Sequence, residues 1–218
     1  MPVKVAVCQV PDIREDMEAS LSWIEKLAGK AEADAVSLVC FPECFLQGYL
    51  TDKSIATKYA INLDSPVFET MLQQLTKYRP MIVFGMIEEE DKNLYNTAVV
   101  IRNGKLVGKY RKTHLLDGEA LFKEGAEYPV FETSGLKFGI NICYDTQFAE
   151  AAAHVTGQGA ALILCPANNM MRYETAEKYK PLHHETRIER VLETGVWLMS
   201  ADVMGGRKVA LPMVLLPQ

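Results

Sequence analysis

The chain has 218 residues, 49% of them apolar and 23% charged, with a net charge of −5. That length suits one large domain or two small ones, and the composition excludes a disordered chain, a collagen-like fibre and a low-complexity tail. An acidic pI near 5.5 without a basic run argues against nucleic acid as a partner, and apolar stretches such as Met81 to Ile87 fall far short of the roughly 18 residues of a membrane span.

Val3 to Cys8 reads as a strand, short, β-branched and stopped by Pro11. The apolar run there is too short for a secretory signal core and meets Asp12 and Arg14 at once. Asp16 to Ala31 places Met17, Leu21, Ile24, Leu27 and Ala28 at helical spacing. Val36 to Phe41 is a second buried strand. Ser65 caps a helix running to Tyr78, with Pro66 at its first position. Met81 to Ile87 and Thr97 to Arg102 are strands, and Asn103-Gly104 turns the second into Lys105 to Tyr110. Leu136 to Ile142 is a strand, followed by a helix over about Gln147 to Thr156. Ala160 to Cys165 and Val196 to Ala201 are strands that enclose a long helix, which Pro181 either starts or kinks. Strands alternate with helices at both ends around a hairpin run. The pattern predicts a mixed sheet, or two sheets, covered by helices in one domain across residues 1–218.

The five cysteines, Cys8, Cys40, Cys44, Cys143 and Cys165, are odd in number in a chain long enough to build its own core. That disfavours a disulfide framework and points to a reducing cytoplasm.

Three segments carry chemistry. In Val39-Cys40-Phe41-Pro42-Glu43-Cys44-Phe45-Leu46-Gln47-Gly48-Tyr49, a carboxylate follows an apolar strand among aromatic residues. Desolvation there would raise its pKa toward that of a general base, although a Glu at this place can equally open a solvated loop. In Tyr110-Arg111-Lys112-Thr113-His114-Leu115, Lys112 either belongs to a wet turn or points into a pocket and meets a developing oxyanion. In Phe138-Gly139-Ile140-Asn141-Ile142-Cys143-Tyr144-Asp145, a strand delivers Cys143 to a strand-to-helix turn. Helix-end amides there would favour the thiolate; the alternative is a buried core cysteine.

Together and in this order, the three segments resemble the nitrilase, or carbon–nitrogen hydrolase, superfamily, over about Val3 to Arg207. The resemblance implies an α-β-β-α four-layer sandwich of two mixed sheets flanked by helices, pairing through its helical layer into a homodimer or larger homo-oligomer. It implies Glu43, Lys112 and Cys143 as the catalytic set, with Glu119 as the best match to a supporting glutamate and the Tyr144 backbone amide as an oxyanion donor. Tyr49, Asn168 and Asn169 would contact the substrate, and Met170-Met171 would border its mouth or pack the loop. The loops Gln47–Ser54, Leu116–Gly125 and Asn168–Tyr173 would set specificity. No metal or organic cofactor is called for. Cys143-Tyr144-Asp145 resembles amidase and ω-amidase members more than nitrilases, so the implied activity is hydrolysis of a small amide. The competing functions are a nitrile or carbamoyl-amide hydrolase of the same family, and a catalytically weak binding or scaffold protein.

Other clusters read blandly. His183-His184-Glu185 lacks a metal-site spacing, Cys40 and Cys44 lack C-x-x-C spacing, and Gly157-x-Gly159 lacks the third glycine of a dinucleotide loop. At the C-terminus the sequence departs from the family. Members usually continue through a Gly/Ser-rich strand pair, a P-x-G turn and a tail, whereas this sequence reads RKVALPMVLLPQ from Arg207 to Gln218. The expectation is a domain without the usual last strands, whose apolar Val209 to Leu216 is prone to edge pairing.

Overall fold

The computed structural model describes residues 3–169, 173–204 and 213–215. In chain order the elements are β1 (Val5–Val7), β2 (Gln9–Pro11), α1 (Met17–Ala33), β3 (Leu38–Cys40), α2 (Lys53–Tyr59), α3 (Pro66–Gln74), β4 (Met81–Glu90), β5 (Asn93–Arg102), β6 (Lys105–Arg111), β7 (Phe131–Thr133), β8 (Leu136–Ile140), α4 (Ala149–Gly157), β9 (Leu162–Pro166), α5 (Tyr173–Thr194), β10 (Trp197–Met204) and β11 (Met213–Leu215).

Two sheets form. The first has the order β1-β3-β4-β5-β6, parallel through β4 and antiparallel beyond it. The second runs β11-β10-β9-β8-β7 with β8, β9 and β10 parallel, and β2 joins it beside β10. The expected strand Val3 to Cys8 is β1, and β2, which the sequence reading did not expect, follows it and takes in Pro11. Val5–Val7 pairs with Leu38–Cys40 in the first sheet, and after Cys8 the same segment crosses over so that Gln9–Pro11 pairs with Asp202–Met204 in the second.

The side-chain pattern explains the layering. Along β3 and β4, Val39, Ile82 and Phe84 face outward onto Ile24 and Ala28 of α1 and onto Phe68 and Met71 of α3. Leu38, Cys40, Met81 and Val83 face inward and meet Phe138, Ile140, Leu162 and Leu164 of the second sheet. That sheet's other face, with Ile163, Cys165 and Leu198, packs on Ala152 and Val155 of α4 and Val191 of α5. Strands buried on both faces carry continuous apolar runs rather than an alternating pattern. Helix, sheet, sheet and helix make the expected four-layer sandwich.

Local signals explain the ends of the elements. Asp16 and Ser65 accept from the backbone N–H groups of Ala19 and Phe68 and so cap α1 and α3. Asn103 and Gly104, at φ 50° and 66°, make the left-handed turn that joins β5 to β6. Pro181 does not start its helix, which begins at Tyr173. Between β8 and α4 the chain makes a 3₁₀ turn, Cys143–Gln147, so α4 begins two residues later than the sequence suggests. Met170 and Met171, and the C-terminal stretches 205–212 and 216–218, lie outside the described residues.

Candidate active site

The loops that leave β3, β6, β8 and β9 converge where the two sheets face each other. Glu43 follows β3, Lys112 follows β6, Cys143 follows β8, and Asn168 and Asn169 follow β9. Glu43 is 1% exposed and Lys112 1%, so neither the solvated loop nor the wet turn left open by the sequence describes them.

Lys112 Nζ donates to Glu43 Oε1 at 2.8 Å and to both Glu119 oxygens at 2.9 Å. Asn96, on the inner face of β5, donates its Nδ2 to Glu43 Oε1 at 2.8 Å and to Glu119 Oε1 at 3.1 Å. The backbone N–H of Asn168 donates to Glu43 Oε2 at 3.0 Å, and that of Leu116 to Glu119 Oε2 at 2.8 Å. Two buried carboxylates thus share one ammonium and one amide. Such a cluster is tolerable only because nearly every lone pair has a partner.

The electrostatics follow from burial and neighbours. Burial, reinforced by Glu119, pushes the Glu43 carboxyl above its usual range against the pull of Lys112 and Asn96. Burial works against the Lys112 charge as well, but Glu43, Cys143 and Glu119 outweigh it and hold the ammonium above its ordinary range. Cys143 is half-buried at φ 44°, in the left-handed region that L-residues rarely adopt. Its thiol is pushed up, first by burial and then by Glu43, with Lys112 and Arg187 pulling the other way. This corrects the expectation of a thiolate favoured by helix-end amides. The α4 N-terminus starts beyond the 3₁₀ turn, and burial is the largest influence on the thiol.

Asp145 holds the Lys112 loop against the Cys143 turn. Its Oδ1 accepts from the backbone N–H groups of Thr113 at 3.2 Å and His114 at 2.9 Å, and from the Thr113 hydroxyl at 3.0 Å. Its Oδ2 accepts from the Tyr110 hydroxyl and the Ile142 N–H, both at 2.8 Å. The His114 ring stacks on Phe148 at 3.8 Å, and the Tyr144 ring meets Phe148 edge-on.

Among the remaining expected contacts, the Tyr49 hydroxyl is pushed up by burial and then by Glu43, Glu119 and Cys143, which sets it beside the cluster. Asn169 is 8% exposed, accepts from Cys143 Sγ at 3.7 Å and is held by Asp202. Sequence reasoning missed Asn96, Asp145 as a brace, and Asp202. A polar residue within the apolar run of β5 is a usable signal for Asn96. The Asp202 link depends on strand register and has none. Among the described residues, no group of three or more His, Cys, Asp and Glu gathers as a metal site.

The profile of the carbon–nitrogen hydrolase family matches residues 4–212. A nitrilase of Pyrococcus abyssi is 34% identical over 208 residues, 93% of this chain and 76% of that protein. The omega-amidase NIT3 of Saccharomyces cerevisiae is 30% identical, over 90% of this chain and 72% of that protein. A probable nitrilase of Schizosaccharomyces pombe is 34% identical over 73% of this chain, which spans 60% of the relative's length. The crystal structure of yeast Nit3 superposes with a TM-score of 0.81 at 26% identity, covering 99% of this chain and 82% of that one. An amidase from Nesterenkonia sp. AN1 shares the fold with a TM-score of 0.82 at 21% identity, over 99% of this chain and 86% of that one. The chain belongs to the carbon–nitrogen hydrolase family, within the nitrilase superfamily.

Proposed function

We propose that the protein is a cysteine hydrolase that cleaves the C–N bond of a small linear amide through a thioester on Cys143. The observation that carries this reading is the buried Glu43–Lys112–Glu119 cluster, with Lys112 Nζ 2.8 Å from Glu43 and 2.9 Å from Glu119, beside a half-buried thiol. Cys143 Sγ attacks the carbonyl carbon while its proton passes to Glu43. The Lys112 ammonium and the Tyr144 backbone N–H face the resulting oxyanion; one such donor is worth about 3 to 4 kcal/mol. As the C–N bond breaks, Glu43 returns the proton to nitrogen, and ammonia or an amine leaves. Glu43 then takes a proton from water, the hydroxyl attacks the thioester carbon, and the acid departs as the proton returns to sulfur.

Glu119 keeps Lys112 charged and pointed. Tyr49, Asn168 and the mouth loops would meet the rest of the substrate. The names of the relatives, nitrilase and omega-amidase, bring amides and nitriles within range, and the Cys143-Tyr144-Asp145 segment favours amides. No helix among the described residues is long and apolar enough to cross a membrane. All five cysteines are free thiols, in keeping with a reducing compartment. Exposed Ile188 and Leu192 on α5 support pairing of two copies through the helical layer, which light scattering would detect.

The test is ammonia release across a panel of amides, carbamoyl amides and nitriles. Turnover of amides that Cys143→Ala abolishes is the expected result. Equal turnover by Cys143→Ala, or activity on nitriles alone, would overturn the reading.

A further inference from the structure

Cys143 has a third polar neighbour that the mechanism above does not use. Asn169 accepts from Sγ through its Oδ1 at 3.7 Å. The same residue is held twice by Asp202 on β10: its backbone N–H donates to Asp202 Oδ1 at 3.0 Å, and its Nδ2 donates to Asp202 Oδ2 at 2.6 Å. The carboxylate is anchored in turn by the Val203 N–H, which donates to Oδ1 at 2.8 Å. Asp202 is fully buried and Asn169 nearly so.

A carboxylate only accepts hydrogen bonds, whereas a primary amide presents a donor on one side and an acceptor on the other. With Nδ2 committed to Asp202, the Asn169 carbonyl must face the thiol. Rotating the amide by half a turn would set two oxygens against each other in a buried site. We propose that Asp202 is a positioning residue that acts on Cys143 through Asn169, fixing the amide so that an acceptor, and not a donor, faces Sγ.

The consequence concerns the resting proton. An acceptor opposite sulfur favours S–H over S⁻ and aims that hydrogen at Asn169; a donor in its place would favour the thiolate. The other groups that act on Cys143 are Glu43, Lys112, Cys165 and Arg187. Those that act on Asp202 are Asn169, Val203 and Arg187, the last 2% exposed at α5. Burial raises the Asp202 carboxyl, and these three oppose that. The catalytic meaning of the lock rests on Cys143 being the nucleophile, but its effect on the thiol proton does not.

The test is the pH dependence of Cys143 alkylation by iodoacetamide, read by peptide mass spectrometry on the whole protein. In Asp202→Asn, the new amide keeps its oxygen on the Asn169 and Val203 N–H groups and turns its NH₂ toward the Asn169 side chain. Asn169 then flips and presents a donor to Sγ. The alkylation midpoint should move about one pH unit toward acid, the size of one hydrogen bond to a charged group. In an Asn169→Ala background, Asp202→Asn should add no further shift. An unmoved midpoint in Asp202→Asn, or an equal shift in both backgrounds, would overturn the proposal.

Should Asp202→Asn fold poorly, Asn169→Asp against Asn169→Ala decides. Facing Asp202, the new carboxyl shares one proton with it and still turns an oxygen to Sγ, so Asn169→Asp should keep the wild-type midpoint while Asn169→Ala moves it toward acid, and identical profiles would overturn the lock. Amide turnover measured alongside separates the two readings. The expected alkylation shifts in a protein that hydrolyses no amide would refute the nucleophile and leave the lock standing.

Discussion

Replacing Gly85 by alanine probes the site from behind. Gly85 lies on β4, where the loop that carries Glu43 crosses over it. Its N–H donates to Pro42 O at 3.0 Å, and its carbonyl accepts from the Leu46 N–H at 3.0 Å. A Cβ there would lie 2.5 Å from Pro42 O and 2.7 Å from Glu43 Cα, and would also press on Cys44 N. All three atoms are backbone, so no side chain can swing aside. Ordinary contact begins at 3.4 Å, so the loop must withdraw by about 1 Å. Overpacking of this kind costs about 1 to 3 kcal/mol, or about 2 to 12 °C of melting temperature for a domain of this size. The same displacement carries Glu43 away from Lys112, and about 1 Å of misplacement can lower turnover about 10²-fold. The loss should fall on kcat more than on KM, because the retreating group is the proposed base. Differential scanning fluorimetry and steady-state ammonia release measure both effects. A Gly85→Ala protein with unchanged melting temperature and unchanged kcat would refute the reasoning.

Lys112→Met leaves Glu43 and Glu119 facing each other in a buried site, so it should destabilise by about 3 to 5 kcal/mol, with Lys112→Met/Glu43→Gln recovering part of that in chemical denaturation. Glu43 works as a base only when ionised and its carboxyl is raised, so the acid limb of kcat/KM should lie above the ordinary carboxylate value of about 4.3; Asn96→Ala, which removes a donor to the charged form, should move it higher still. His114 is raised, chiefly by its hydrogen bond to Asp145, so its contribution to stability is complete below its unfolded pKa of about 6.5 and fades as pH climbs through the raised folded value. The melting-temperature gap between wild type and His114→Gln should therefore be widest below that pH and narrow in alkali, and a gap independent of pH would remove His114 from that role.

The parts of this fold that the sequence discloses are those encoded locally. Asp16, Ser65 and Asn103-Gly104 act within a few residues of themselves, and the structure uses each as its chemistry suggests. Glu43, Lys112 and Cys143 stand out only together, each just past a strand end and in this chain order, since singly they also fit a solvated loop, a wet turn and a core cysteine. Asn96 escaped notice because the strand was read as beginning at Thr97, which put the residue in a loop instead of on the inner face of β5. Helix α2 was missed because only Ala56 of its residues is buried, leaving almost no periodicity to detect. The Asn169–Asp202 pair joins the loop after β9 to the neighbouring strand β10, 33 residues away in sequence, and no local pattern announces such a meeting.

The crossing at Cys8 has a consequence for the order in which the molecule is made. Gln9 reaches across 191 residues to the Ser200 carbonyl, and Gln9–Pro11 cannot be seated until β10 exists. During synthesis Gln9–Pro11 must wait, with Val10 uncovered, until β10 has been made. Contacts of such long sequence separation slow folding and prolong exposure of unpaired strands. Asp202 lies in that same late-closing pair, so the surroundings of Cys143 are finished only once β10 is in place beside β9 and β2. A nascent chain halted before β10 would already hold Glu43, Lys112, Glu119 and Cys143, yet would lack the clasp between its two sheets.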